Sequence, residues 1–170
     1  KNNDDEQQIM KMLLEWSINV NSKNRLAEVL VIDDEQSVVT YRLKEADPIG
    51  KMQPPSIEVF QELSDMNPIR TGKGDPAYAP SFYQNVTDWP TQIIGVPILD
   101  GYQLDDVEIE IITNIDNEKY EFSTSASILM DLWKRGLNTR SGFKYGTKWR
   151  CYPSEIGDGH APWLVVDPSS

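Results

Sequence analysis

Leu132-Trp133-Lys134-Arg135-Gly136, Gly142-Phe143-Lys144-Tyr145-Gly146, Trp149-Arg150-Cys151-Tyr152 and His160-Ala161-Pro162-Trp163-Leu164-Val165-Val166 follow one another near the end of the chain. Their reading decides the fold of the C-terminal part. Ser123-Thr124-Ser125 can cap a helix running through Arg135, and Gly136 stops it. Phe143 to Tyr152 predicts a strand, Pro153 to Gly159 a turn, and Ala161 to Val166 a second strand. Side chains alternate between the two faces of a strand. One face of the first strand takes Phe143, Tyr145, Thr147, Trp149 and Cys151. The other takes Lys144, Gly146, Lys148, Arg150 and Tyr152. The turn after it folds back and brings His160 toward Tyr152.

Charge is distributed unevenly around this stretch. Lys134, Arg135, Arg140, Lys144, Lys148 and Arg150 lie between Trp133 and Tyr152, where there is no Asp or Glu. All 27 acidic side chains lie elsewhere, and the chain carries a formal net charge of -11. That balance excludes a whole-surface nucleic-acid binder but permits a local one, because phosphate binding depends on the patch that faces the ligand. The 170 residues suffice for one or two domains with a real core. An apolar fraction of 39%, with five Trp and seven Tyr, is that of a globular chain. The single cysteine, Cys151, excludes an internal disulfide and a Cys-rich zinc site, and points to an intracellular protein. No apolar run reaches the ~20 residues of a membrane span. The polar start, Lys1 to Glu6, does not read as a signal peptide. The first residue is not Met, which reads as processing or as a piece of a longer chain.

Upstream, Asp4-Asp5-Glu6 and the apolar residues from Ile9 to Val20 predict a helix with acids at its positive end. Its apolar density predicts substantial burial. Ala27 to Asp33 and Ser37 to Leu43 predict a hairpin. Pro54-Pro55-Ser56 opens a short helix containing Ile57, Val59, Phe60 and Leu63. Asn67 to Trp89, with Thr71-Gly72-Lys73-Gly74 inside it, reads as a long ordered Pro-rich loop. Gln92 to Ile98 and Asp106 to Thr113 read as strands, the second from the alternation of Val107, Ile109 and Ile111 with Glu108 and Glu110. The composition changes near 118–123. The expected class is therefore α+β in two small mixed units: an N-terminal unit, 1–118, and a C-terminal helix-and-sheet unit, 119–170.

A phenol, an imidazole and nearby cations suit a reaction on an RNA phosphodiester. RNA supplies its own nucleophile, the 2′-hydroxyl. Cleavage then needs a base for that hydroxyl, an acid for the leaving 5′-oxygen, and positive charge at the phosphorus. Histidine suits either proton role, whereas tyrosine is a poor base unless neighbouring cations lower its pKa. Lys144, Lys148 and Arg150 are the candidates for that effect. Other constellations are weaker. The acids Asp100, Asp105, Asp106, Glu108 and Glu110 read as a solvated hairpin rather than a metal site. Thr71-Gly72-Lys73-Gly74 fails the Walker spacing. Cys151 falls on the strand face opposite Tyr152, and Trp149 and Trp163 read as core. A lone surface histidine and a solvated cationic face remain the bland readings.

The ordered set of motifs resembles the catalytic C-terminal domain of the tRNA-splicing (tRNA-intron) endonucleases. Trp133-Lys134-Arg135-Gly136 matches the helix end and Gly142-Phe143-Lys144-Tyr145-Gly146 the glycine motif. Trp149 with Tyr152 matches the aromatic and the tyrosine, and His160-Ala161 with the apolar run after it the histidine strand. The resemblance covers about a quarter of the chain. It implies that Tyr152 is the general base and His160 the general acid. It also implies cleavage of a folded pre-tRNA at exon–intron junctions, giving 2′,3′-cyclic phosphate and 5′-hydroxyl ends without a metal or other cofactor. The implied RNA-binding residues are Lys134, Arg135, Arg140, Lys144, Lys148 and Arg150. The implied partners are other endonuclease units in a homo- or hetero-oligomer, in the cytoplasm of a prokaryote or the nucleus of a eukaryote, and no membrane. The family's third catalytic residue is a lysine some thirty residues after the histidine, and no lysine follows His160 here. Three readings therefore stay open: a fragment, a lysine supplied by a partner chain, or a structural, RNA-positioning subunit without chemistry of its own. An unrelated acidic interaction module is the remaining alternative.

Overall fold

The structure is a computed structural model that describes residues 3–66, 69–70, 81–84, 88–99, 101–157 and 159–169. The fold is of the mixed α+β class, with helices and small antiparallel sheets. The chain divides into two compact units, Lys1–Asp47 and Pro48–Ser170. The division falls well before the boundary expected near 118. Residues on both sides of 118 share one core, with Ile93, Leu104 and Ile111 packed in the same cluster as Leu129, Trp133 and Trp149.

The first unit holds helix α1 (Asn3–Ser22) and the hairpin β1 (Ala27–Ile32) and β2 (Val38–Leu43), paired from Ala27–Leu43 to Ile32–Val38. Asp33 shapes the turn by accepting the N–H groups of Glu35 and Ser37 at 2.9 and 2.8 Å. The Asn21 side chain donates to the Leu43 carbonyl at 3.0 Å, fastening the helix end to the hairpin. The burial expected for α1 is not found. Ile9, Met10, Met12, Leu14, Trp16 and Ile18 are exposed, and Ser17 and Ala27 are the buried residues among those described in this unit. A single helix against a two-stranded hairpin has too few layers to enclose the apolar side chains that both carry.

The second unit starts from α2 (Ile57–Asp65), which follows Pro54-Pro55-Ser56 as predicted and buries Phe60 and Leu63. Four short strands come next: β3 (Ile69–Arg70), β4 (Ser81–Gln84), β5 (Val96–Ile98) and β6 (Gly101–Leu104), in the sheet order β3-β4-β6-β5. Two strands thus lie within the stretch expected as a loop; Thr71-Gly72-Lys73-Gly74 is outside the described residues. Of the predicted strand Gln92–Ile98 only Val96–Ile98 forms. Ile93 and Ile94 are buried in irregular backbone just before it.

The predicted strand Asp106–Thr113 is a helix, α3 (Asp106–Asn114). Asp105 caps it, and Glu108 returns the bond in a capping box. Val107, Ile109, Ile111 and Ile112 are all buried. A helix buried on most of its circumference shows no single apolar stripe, and its β-branched content favours a strand by propensity alone. Packing and the cap decide the outcome.

Helix α4 (Thr124–Lys134) has the expected limits: Ser123 accepts the Ala126 N–H, and Gly136 sits at φ 71°. A strand absent from the sequence reading follows, β7 (Asn138–Ser141). The predicted strand Phe143–Tyr152 is mostly something else. Phe143–Tyr145 is a 3-10 turn closed by Gly146 at φ 66°, and only β8 (Trp149–Tyr152) is extended. Last comes β9 (Trp163–Val165), and the sheet order is β7-β8-β9. Beyond β9, Asp167 is buried, accepting from the Ser125 hydroxyl at the start of α4 and from the Ser169 N–H at 2.8 Å. The end of the chain is thereby pinned back on the helix.

Helix α4 and the sheet are also braced by the segment before α2. Gly50 donates to the Arg135 carbonyl at 2.8 Å, Lys51 to Pro153 at 2.7 Å and Met52 to Gly136 at 3.0 Å. A Cβ on Gly50 would lie 1.8 Å from the Gly136 carbonyl oxygen, with backbone on both sides of the clash. Gly50→Ala should therefore cost about 3 kcal/mol, from overpacking with no flexible side chain to yield. Thermal unfolding checks this: a fall in Tm of roughly 6–12 °C is expected for a chain of this size.

Candidate active site

Tyr152 is the last residue of β8. It lies opposite Asn138 of β7 and is buried, with 8% of its surface exposed. His160 is exposed and stands just before β9. Cys151 pairs with Trp163. Tyr152 follows that pair on one strand and His160 precedes it on the other, so both occupy the same end of the β8–β9 ladder. Side chains alternate between faces only over the four residues of β8. Trp149 and Cys151 face the core. Lys144 and Lys148 do not share a strand face with Arg150 and Tyr152, because the 3-10 turn and the residues after it are not extended. Burial pushes the Cys151 thiol up to about 11, which leaves no thiolate for nucleophilic chemistry.

The six cations fall into three settings. Arg135 is held in an ion pair with Asp131 one turn back, Nε to Oδ2 2.6 Å, and Lys134 beside it is exposed. Arg140 turns inward. Its guanidinium donates to the carbonyls of Thr139 and Ile93 at 2.7 and 3.4 Å and to the Asn138 side chain at 3.1 Å. Burial pushes Arg140 below its ordinary pKa, and an arginine so held is still a cation. Lys144 lies in the 3-10 turn and is exposed; Lys148 and Arg150 follow it and are half-buried. Arg150 donates to the Ser141 carbonyl at 2.9 Å and lies over the Tyr145 ring, 5.5 Å from its centroid. Lys148 stands 5.9 Å from the Trp149 ring centroid.

Arg140 links the Tyr152 end of the sheet to a carboxylate that the sequence reading assigned to solvent. Glu108 is buried. Its Oε1 accepts the Gly95 N–H and its Oε2 the Asp105 N–H, both at 2.9 Å. Asp105 in turn accepts the Glu108 N–H at 2.8 Å. The acids 105 and 108 are therefore neither a solvated hairpin nor a metal site. Asp-x-x-Glu at 105–108 was the available signal, since it is the spacing of a capping box. Among the described residues no group of three His, Cys, Asp or Glu side chains is arranged to hold a metal ion. None of the described helices is long and apolar enough to cross a membrane.

A cavity of about 520 Å³ opens beside Arg140, between Asn138, the Trp89–Tyr102 pair and Glu155 of the turn after β8. Trp89 and Tyr102 stack face to face, with centroids 4.2 Å apart and planes 8° from parallel. Tyr152 and His160 are not among the residues that line it. What the site can do chemically is set by these placements: one phenol and one imidazole at the same end of a small sheet, and one half-buried guanidinium on the strand beside them. No protein-family model matches this chain, and no curated protein matches it.

Burial, and then the neighbouring Asp105, raise the Glu108 carboxyl from its ordinary 4.5 to about 8. The folded chain thus holds a proton there that the unfolded chain releases above about 4.5. Folded-state binding of that proton makes stability fall as pH rises from about 4.5 to about 8, and flatten above. Glu108→Gln, which mimics the protonated acid, should show a shallower decline across this window. Urea midpoints measured at intervals over the window check the difference; parallel profiles for the two proteins would contradict it.

Proposed function

We propose that this chain is a unit of a metal-independent RNA endonuclease of the tRNA-splicing kind, cleaving pre-tRNA at exon–intron junctions. The single observation that carries the reading is the ordered motif set from Trp133 to Val166. It folds as helix, strand, turn, strand and strand, with Tyr152 and His160 at one end of the β8–β9 ladder and the turn that carries Lys144 and Lys148 at the other. In this reading Tyr152 takes the proton of the 2′-hydroxyl, whose oxygen attacks the adjacent phosphorus. The bond to the 5′-oxygen breaks, His160 protonates that oxygen, and the cyclic phosphate and 5′-hydroxyl result. Lys134, Lys144, Lys148 and Arg150 grip the phosphates. The outer edge of β9, with Leu164 and Val166 exposed, is where another unit adds its own strand.

A second reading has its own support. Tyr152 is 8% exposed, which is little for a base that must reach a polymer. That burial favours a structural, RNA-positioning subunit of the same kind of assembly.

Cleavage of an intron-containing pre-tRNA in EDTA tests the first reading. Activity should fall by about 100-fold or more in both Tyr152→Phe and His160→Ala, in line with the loss of a general base or acid. A strict requirement for magnesium would count against the mechanism. Full activity of a complex assembled from partner chains and the His160→Ala unit would select the structural role.

A further inference from the structure

The turn between β7 and β8 exposes two aromatic rings in the most basic part of the chain. Phe143 is 87% and Tyr145 58% exposed, although both sit in a well-tied turn. Gly142 donates to the Lys148 carbonyl at 2.9 Å, Tyr145 to Gly142 at 2.7 Å and Gly146 to Phe143 at 3.1 Å. A Cβ on Gly142 would lie 2.2 Å from the Thr147 hydroxyl and 2.8 Å from the Thr147 carbonyl oxygen, so the base of the turn closes only on glycine. Gly146 reverses the chain at φ 66°. The backbone is fixed while its two largest side chains point into solvent. Rings in that position contribute nothing to the core, and their exposure costs solubility unless a ligand covers them.

Chemistry around the rings selects the ligand. The Arg150 guanidinium lies over one face of Tyr145, Lys144 is exposed between the two aromatics, and no acid occurs from Trp133 to Tyr152. Aromatic faces interleaved with cations suit a polymer that alternates flat bases with phosphates. A duplex keeps its bases stacked inside and offers these rings only phosphates; an unpaired strand offers both groups. We infer that Phe143 and Tyr145 form a stacking platform for unpaired bases of a single-stranded RNA segment, with Lys144 and Arg150 on the flanking phosphates. The inference rests on the RNA reading above and adds the form of RNA that the strip takes. Neither ring belongs to the residues assigned to proton transfer.

The experiment measures binding of the intact chain at low salt to a short single-stranded oligoribonucleotide carrying 2-aminopurine, and to a duplex of equal length. The single strand should bind more tightly and its fluorescence should be quenched. In Phe143→Ala/Tyr145→Ala the quenching should vanish and single-strand affinity should drop about tenfold or more, at an unchanged salt slope. Lys144→Ala should instead flatten the salt slope and keep the quenching. Both rings are on the surface, so unchanged circular dichroism would show that the double variant is folded; Tyr145→Phe, which keeps the ring, should bind as the parent does. Equal single-strand binding by parent and double variant would overturn the platform and leave the RNA reading standing. Absence of RNA binding by the parent would overturn both. Displacement of the single strand by an acidic peptide with undiminished affinity for the double variant would mark the strip as a protein-docking site and overturn the platform as well.

Discussion

The buried carboxyl group of Glu108 ties the helical part of the second unit to its sheets, and the geometry around Tyr152 depends on that tie. The stretch 92–95 is apolar and buried at Ile93 and Ile94, yet it forms neither helix nor strand, so its backbone groups need partners from elsewhere. Two come from other elements and one from the irregular backbone just before the stretch. Glu108 of α3 takes the Gly95 N–H, Trp89 gives its indole N–H to Ile94 at 2.9 Å, and Arg140 of β7 reaches the Ile93 carbonyl. An unpaired buried amide costs about 1–3 kcal/mol. Side-chain partners thus do here what a ladder does in a regular sheet. Because Arg140 is anchored on this stretch, β7 is anchored too, and β8 with Tyr152 is paired to β7. The line of dependence runs from a helix cap to the phenol at the far side of the sheet.

Local signals were legible where one feature dominated. The α4 limits followed from Ser123 and Gly136, the α2 start from Pro54-Pro55-Ser56, and the first hairpin from two β-branched runs around Asp33. Misreadings occurred where burial is two-sided or where polar residues are buried. In α3, Ile109, Ile111 and Ile112 cover so much of the helix that period 3.6 is masked, and only the 105–108 cap spacing tells it from a strand. In β7, Asn138 and Thr139 are buried polar residues, Thr139 accepting the Trp133 indole N–H at 3.2 Å. A pattern search for apolar alternation passes over Asn-Thr-Arg-Ser. Between 143 and 148 the alternation of aromatic and basic residues imitates a strand. The two glycines at 142 and 146 mark the turn in hindsight, through a close approach and a positive φ.

The same local geometry alters what the cationic run can do. Six basic residues on one continuous face would form a uniform phosphate track. The fold instead commits two of them internally, Arg135 to Asp131 and Arg140 to the Ile93 stretch. The four held neither in an ion pair nor on that stretch are Lys134, at the end of α4, and Lys144, Lys148 and Arg150, around the turn; Lys134 and Lys144 are exposed and the other two half-buried. Each phosphate neutralised on a single strand adds about 0.7 to the steepness of the salt dependence. Four available cations therefore set a modest electrostatic grip for a chain whose remaining surface repels polyanions. A grip of that size cannot by itself hold RNA firmly at physiological ionic strength, and non-ionic contacts must make up the difference. Phe143 and Tyr145 stand among three of the four cations, on backbone that is already fixed, so ordering them on a ligand costs side-chain rotamers alone.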